Sequence, residues 1–282
     1  MKKVTRYLDG EGSHNPFSFS ASDIALQNSS LRPYFYDKDR HIKLFQGDCI
    51  EILKQVPENC VDMVFADPPY FLSNGGITCH AGKMVPVHKG NWDKSRGVEE
   101  NHAFNLTWLQ ACQQALKPDG TIWVSGTMHI IYSVGYAMQQ LGFKILNDII
   151  WQKKNPPPNL SCRYFTHSTE IVLWAAKNSR SKHFFNYALM KEMNGGKQMK
   201  NVWTMNAPSA KEKIFGKHPT QKPIELLSRI IQAASNEKDL ILDPFCGSSS
   251  TGVASLMLKR KFIGIELDED FLKLSIKRVT GQ

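Results

Sequence analysis

The stretch Leu240-Ile241-Leu242-Asp243-Pro244-Phe245-Cys246-Gly247-Ser248-Ser249-Ser250-Thr251-Gly252 decides the fold of this chain. It opens as a short apolar run that predicts a strand, Leu240 to Leu242. The run must stop at Asp243-Pro244, because proline brings no amide to a ladder. Small residues then let the backbone turn sharply, and an apolar stretch from Gly252 to Leu258 predicts a helix. A second strand (Phe262 to Ile265) and a second helix (Glu269 to Val279) follow. Strand, turn, helix and strand in this order are a βαβ unit, whose crossover helix makes the two strands parallel.

Moving toward the N-terminus, the same alternation continues. A helix is predicted from Pro223 to Ser235, with proline in the first turn where its missing amide does no harm. Strands are predicted at Glu170–Trp174, Ile145–Gln152, Thr121–Ser125, Val61–Ala66 and Ile42–Gln46. Helices are predicted at Ile131–Leu141, at Ala103–Leu116 and in a short piece opening at Cys49. Lys117-Pro118-Asp119-Gly120 reads as a turn. Strands alternating with helices imply an α/β protein with a doubly wound, mostly parallel sheet. Residues 1–35 are rich in Ser, Asn and Gly and are expected to form a flexible arm ahead of one domain spanning 36–282. Within that domain, 71–96 is too long for an ordinary connection and is expected to be a mobile, functional loop. In 177–217 apolar periodicity fades while Lys and Arg recur, so it is expected to recognise the target.

The chain has 282 residues, 41% of them hydrophobic, enough to bury a full core. Lys and Arg exceed Asp and Glu by 35 to 26, and aromatics make up 10%, which favours a polyanionic partner such as nucleic acid. The cysteines are Cys49, Cys60, Cys79, Cys112, Cys162 and Cys246, and no two form a CxxC pair. A zinc ribbon is therefore not expected, and Cys79-His80 with His88 is too sparse a cluster to predict a metal. With no signal peptide and no apolar run near the length of a bilayer span, the expected location is the cytoplasm.

Two strand ends carry the chemistry, since ligands of open α/β sheets bind beyond the carboxyl ends of the strands. After Asp243, small residues and a helix start allow close approach to a ligand, and Glu266, roughly twenty residues on, can accept ribose hydroxyls. Neither GxGxxG nor the P-loop lysine is present, which disfavours a pyrophosphate ligand. At Asp67-Pro68-Pro69-Tyr70 two prolines fix the backbone beside a carboxylate and an aromatic ring. Carboxylate and Pro68 carbonyl could accept both N–H bonds of an amino group on a flat heterocycle, with Tyr70 stacking on its face. Taken singly, each stretch is equally readable as a tight turn beside a core residue.

Together they resemble a known family. Asp67-Pro68-Pro69-Tyr70 is similar to the catalytic motif of the amino-methyltransferases, and Asp243 to Thr251 to their cofactor loop. The catalytic motif comes first, and His218-Pro219-Thr220-Gln221-Lys222-Pro223 lies just ahead of the cofactor loop; this order resembles the permuted β group of DNA methyltransferases. The stretch from Asp67 to Asp93, especially Phe71-Leu72-Ser73-Asn74-Gly75-Gly76, and the stretch from Asn159 to Glu170 resemble the second methyltransferase of DpnII-type restriction systems.

The resemblance implies a Rossmann-like fold with an inserted DNA-recognition region and S-adenosyl-L-methionine as cofactor. It implies methylation of adenine N6 in GATC, in double-stranded and also single-stranded DNA. A homodimer and a cognate restriction endonuclease are further partners it raises. Asp67, Pro68, Pro69 and Tyr70 would be catalytic. Cofactor contacts would come from Asp48 and Cys49; from Lys217, His218, Pro219, Thr220 and Lys222; and from Asp243, Pro244, Phe245, Gly247, Ser248, Ser249, Ser250 and Thr251. Glu266 and Leu267 would complete that set, with Glu266 on the ribose. Asn74, Lys89 and Arg163 would touch DNA. One departure stands out: the family's loop usually has a second glycine where this chain has Ser249.

Cytosine-N4 methylation is the nearest rival, but there serine commonly replaces the first motif residue. Cytosine-C5 methylation needs a thiolate, usually after proline, and the chain has no Pro-Cys dipeptide. RNA and protein-amide relatives more often begin the motif with asparagine. A non-catalytic nucleic-acid binder on the same fold is the alternative of another class.

Overall fold

The computed structural model describes residues 32–72, 77–80, 83–86 and 93–281. The strands are β1 (Phe35–Asp37), β2 (Ile42–Gln46), β3 (Val61–Ala66), β4 (Ile77–His80), β5 (Lys83–Pro86), β6 (Leu116–Gly126), β7 (Lys144–Lys153), β8 (Thr169–Ala176), β9 (Val202–Met205), β10 (Leu240–Asp243) and β11 (Lys261–Glu266). The helices are α1 (Cys49–Leu53), α2 (Val98–Ala115), α3 (Ile131–Gln140), α4 (Tyr187–Met193), α5 (Ile224–Ala234), α6 (Ser250–Met257) and α7 (Glu269–Thr280).

Nine strands form one sheet in the order β1-β2-β11-β10-β3-β6-β8-β7-β9, and β4 pairs with β5 in a separate hairpin. Neighbours from β2 through β6 are all parallel. β8 runs antiparallel to both β6 and β7, β9 is parallel to β7, and β1 is antiparallel to β2. The sheet is therefore mostly parallel, as the alternation implies, with two reversed strands that hydrophobic periodicity does not reveal.

Side chains along each strand alternate between two apolar layers. Val64, Ile122 and Val124 face a layer with Trp108 and Leu109 of α2 and Val134 and Met138 of α3. Met63, Phe65 and Trp123 face the other, with Leu226, Ile230 and Ile231 of α5 and Leu272 of α7. Both faces are covered, so strand ends rather than faces are left for ligands.

Local chemistry sets the helix starts. Asp48 caps α1 by accepting from the amides of Ile50 (2.9 Å) and Glu51 (3.2 Å), and Asp268 caps α7 in the same way. Pro223 occupies the N-cap of α5 rather than its first turn and offers no capping side chain. Glu212, in a 3-10 turn over Ala210–Lys213, supplies one instead, accepting from the Ile224 amide at 2.9 Å.

Two expected loops hold more order than their composition suggests. The β4–β5 hairpin lies inside 71–96. In 177–217, α4 and β9 form, and β9 joins the main sheet beside β7. Lys117–Gly120, expected as a turn, lies inside β6 as an irregularity in its register with β3, and the start of 177–217 braces it: Ser181 donates to the Pro118 carbonyl at 2.6 Å, and the Lys182 amide to Asp119 at 2.7 Å. Among the described residues no helix is long and apolar enough to cross a membrane. The arm over 1–31, Asn74, Lys89 and His88, and the side chains of Cys79 and His80, lie outside the described residues.

Candidate active site

Four adjacent parallel strands, β2, β11, β10 and β3, end on the same edge of the sheet. Each is closed by an acid: Asp48 just past β2, Glu266 on β11, Asp243 on β10 and Asp67 just past β3. A cleft opens over them, and all four acids line it. Its walls include His218, Thr220 and Lys222, the aromatic rings of Phe104, Phe245 and Phe271, and Arg96.

The loop after β10 is held from within. Asp243 accepts from the Phe245 amide (3.0 Å) and from the Thr251 hydroxyl (2.6 Å), so its carboxylate shapes the turn it begins. Burial pushes its pKa up to about 7, against those two hydrogen bonds. Gly247 has φ +52, and a Cβ there would lie 2.9 Å from the His218 ring. Ser249 takes the same left-handed backbone (φ 52) at the N-cap of α6. Serine therefore adopts there a conformation that glycine adopts without penalty. α7 locks the loop from behind. Arg278 donates to the Ser248 carbonyl (2.6 Å) and to the hydroxyls of Ser248 (2.7 Å) and Ser250 (2.9 Å), and Ser275 donates to the Gly247 carbonyl at 2.5 Å.

Glu266 accepts from the amides of Gly247 and Asp268, each at 2.8 Å, one on each oxygen. A carboxylate offers about four lone-pair sites, so capacity remains for two hydroxyls. On the opposite wall, Phe104 of α2 packs against Phe71 and Phe245, and Trp108 meets Phe245 edge-on at 5.3 Å. His218 packs edge-on against Phe271 at 4.2 Å, which fixes its ring beside Gly247.

Asp67 sits in a different environment. One of its oxygens accepts from the Tyr70 hydroxyl at 2.7 Å and the other from the Lys222 ammonium at 2.5 Å. Lys222 also lies 3.5 Å from Glu170, the second residue of β8, and Glu170 pairs with Lys153 at 2.6 Å. The Lys222 side chain is 6% exposed and that of Asp67 12%, so this is a buried chain of charges. Burial alone would make Lys222 less basic, but Asp67 and Glu170 outweigh it and hold the ammonium charged. Burial would likewise raise Glu170, yet its two lysines hold it at about 2. Asp67 is raised, first by burial and further by Glu170, against the pull of Lys222. Of the two carboxylates, Asp67 is the one poised to take a proton.

The backbone after Asp67 is pinned by Asp93, which is fully buried and accepts from the amides of Tyr70 (2.9 Å) and Leu72 (3.2 Å). The Tyr70 ring is 6% exposed and packs into the core, with its hydroxyl also 3.4 Å from Ser125. In this arrangement Tyr70 orients Asp67, and its ring face is covered.

The structure brings together most of the residues that the sequence singled out. Asp67 and Pro69 line the cleft with Asp48, Cys49, His218, Thr220, Lys222, Asp243, Pro244, Phe245, Gly247, Ser248, Ser250, Thr251, Glu266 and Leu267. Pro68, Tyr70, Lys217, Pro219 and Ser249 stand behind or beside it. Lys222, expected along the cofactor, makes its ion pair with Asp67. Arg163 is exposed on the loop between β7 and β8. Glu170, Lys153, Asp93, Phe104 and Arg278 are additional: each reaches the site from another segment, and of these only Asp93 and Glu170 stood in the stretches that carry the resemblance. Among the described residues no group of His, Cys, Asp and Glu could hold a metal ion.

Residues 61–277 match a family model described as DNA methylase, covering N6 and N4 methyltransferases. The chain is 56% identical over 249 residues to the type II methyltransferase M2.LlaDCHI of Lactococcus lactis subsp. cremoris, covering 88% of this chain and 92% of that protein. It is 54% identical over 252 residues to the type II methyltransferase M2.DpnII of Streptococcus pneumoniae, covering 89% and 93%. A solved complex of M1.HpyAVI with S-adenosylmethionine aligns with TM-score 0.64 and 28% identity, over 84% of this chain and 98% of that one. The cytosine-N4-specific PvuII DNA methyltransferase shares the fold at TM-score 0.67 and 19% identity, over 90% and 98%.

Proposed function

The chain belongs to the N6/N4 family of DNA methylases, enzymes that use S-adenosylmethionine, and from that premise we propose that it methylates N6 of adenine. The observation that carries the reading is Asp67. It is a carboxylate at a strand end, held by Tyr70 and Lys222, on the cleft that the Asp243 loop also lines. The target sequence we propose is GATC, with single-stranded DNA accepted as well, by the resemblance of residues 71–76 and 159–170 to DpnII-type enzymes. Work beside a cognate endonuclease in the cytoplasm, and a homodimeric state, belong to the same reading.

The cleft fits the cofactor by its own chemistry. It joins an apolar aromatic wall to a few convergent polar groups, the make-up of small-molecule sites. Glu266 keeps acceptor capacity for the ribose hydroxyls, and the glycine at 247 leaves open the space beside His218 that a side chain would fill. Asp243 and the backbone of 244–248 would hold the methionine portion, and Asp48 the adenine side. When bound there, the cofactor supplies an activated methyl group.

The remaining work falls to this chain. The adenine amine is a weak nucleophile, because its lone pair is delocalised into the ring. Asp67 and the Pro68 carbonyl would each accept one N–H, favouring a tetrahedral nitrogen with its lone pair localised toward the methyl group. The amine is acidic once it carries the methyl group, and the Asp67 carboxylate would accept its proton. The raised proton affinity of Asp67 suits this step, while Lys222 holds the carboxylate in place. The base must leave its stack, or arrive single-stranded, to reach this depth.

The test is digestion of plasmid methylated by the purified protein with nucleases blocked by N6-methyladenine in GATC, together with nucleoside analysis of the product. Protection and N6-methyladenine are expected. N4-methylcytosine in the product would overturn the adenine reading, and N6-methyladenine without protection would overturn GATC.

A further inference from the structure

The loop between β7 and β8 presents an aromatic side chain that no other described residue covers. Phe165 is 96% exposed and its neighbour Tyr164 is 60% exposed. An exposed ring on a disordered excursion would mean little, but this loop is braced. Pro156-Pro157-Pro158 stiffen its entry. The Asn159 side chain then ties the tip together: its amide donates to the Tyr164 carbonyl at 2.5 Å, and its oxygen accepts from the Ser161 amide (3.0 Å) and hydroxyl (2.7 Å). Tyr164 packs against His167 at 5.4 Å, leaving Phe165 projecting alone.

The base of the loop is part of the catalytic cluster. Lys153 ends β7 and Glu170 is the second residue of β8, and their ion pair closes the loop together with the bond from the Lys153 amide to the Ser168 carbonyl at 2.8 Å. Glu170 in turn contacts Lys222, which holds Asp67. The loop thus leaves the sheet at the carboxyl end of β7, the edge on which the cleft lies. From 154 to 169 it contains Lys154 and Arg163 and no acid, so it presents an apolar ring within positive charge. That combination suits a nucleobase with its phosphate, since every base has a stacking face and the flanking cations meet the backbone.

We propose that Phe165, supported by Tyr164, stacks on a nucleobase next to the target base in the DNA strand being methylated. This rests on the DNA-methylation reading above. The loop's rigid tie to Lys153 and Glu170 then sets the distance between the stacked base and Asp67, so that gripping the neighbour delivers the target to the carboxylate.

The experiment compares wild type with Phe165→Ala and Phe165→Trp on single- and double-stranded oligonucleotides bearing one GATC. Steady-state methyl transfer is read together with the fluorescence of 2-aminopurine placed beside the target. In Phe165→Ala the KM for DNA is expected to rise about ten-fold, the scale of one lost base–aromatic stack. Its KM for S-adenosylmethionine should stay unchanged and its kcat within about two-fold, and Phe165→Trp should restore the KM for DNA and quench the probe. An unchanged KM for DNA in Phe165→Ala overturns the proposal, as does a change only in self-association, which would make the ring a contact between copies. Wild type that methylates none of the oligonucleotides overturns the GATC reading on which the test rests, an outcome distinct from either of these.

Discussion

The ends of β3 and β10 look alike in sequence and do opposite things. Both strands are parallel neighbours, both finish at Asp-Pro, and both carboxylates are buried beside one cleft. Asp243 directs its oxygens inward, to an amide and a hydroxyl of its own turn. Asp67 faces a lysine that lies 155 positions away in sequence and a tyrosine whose hydroxyl is also close to Glu170. The same dipeptide at the same place in the sheet is therefore turned onto its own loop in one strand and toward a cation from a distant segment in the other. The surrounding elements, and not the motif, decide which.

The sharpest way to break this contrast is to neutralise each acid. Asp67→Asn is expected to lower the methyl-transfer rate by about 10³-fold at saturating substrates, the scale of losing a preorganised transition-state partner. Its affinity for S-adenosylmethionine, measured by titration calorimetry, should remain within a few-fold of wild type. Asp243→Ala should do the reverse, abolishing measurable cofactor binding. If both variants lose cofactor affinity equally, the two ends are not functionally distinct.

Lys222→Met probes the charge that separates them. Removing the ammonium leaves Asp67 without its cation beside a Glu170 that keeps only Lys153, which should cost about 3–5 kcal/mol in denaturant unfolding. A double variant, Lys222→Met with Glu170→Gln, is expected to recover part of that loss. Additive losses would show that the cluster is not coupled.

The smallest effect is in the pH dependence at Asp243. Its folded-state pKa, near 7, lies above the ordinary carboxylate value, so the folded protein binds the proton more tightly than the unfolded chain. Below about pH 4 the group is protonated in both states and has no influence. Between there and about pH 7 wild type loses stability as pH rises, and above that the loss is constant. Asp243→Asn lacks this titration, so its stability relative to wild type should climb over that window and then level off. Unfolding curves at several pH values would show it, and parallel profiles would contradict the assignment.

Much of the fold was legible because β10, β11, α6 and α7 each carry their own pattern: apolar runs, turn residues at Asp243 to Gly247, and an Asp cap for α7. The two reversed strands were not, since the side-chain period of a strand is the same in either direction. Nor was β9, whose four residues sit in a basic stretch and find their register only against β7. At the site, the motif residues were readable by type and order. Their partners were not: Glu170 meets Lys222, Asp93 meets the amides after Asp67, and Arg278 meets the Ser248 loop only after the sheet has brought distant segments together. A long-range ion pair leaves no periodic trace in a sequence. Lys222 shows the consequence, since its motif placed it correctly at the cleft but its role there is set by Asp67.

The strand order also governs how the molecule is made. β2 and β3 are successive in the chain, yet in the sheet β11 and β10 stand between them. Until those two strands are synthesised, the early part of the chain has two parallel edges with unpaired backbone groups, which invite wrong pairing. The segment that fills the gap is the one that carries Asp243 to Thr251 and Glu266, the residues proposed to hold the cofactor. Closing the sheet therefore also assembles that wall of the cleft. The nascent chain should depend on chaperones longest over this interval, and S-adenosylmethionine should act on folding yield as well as on turnover.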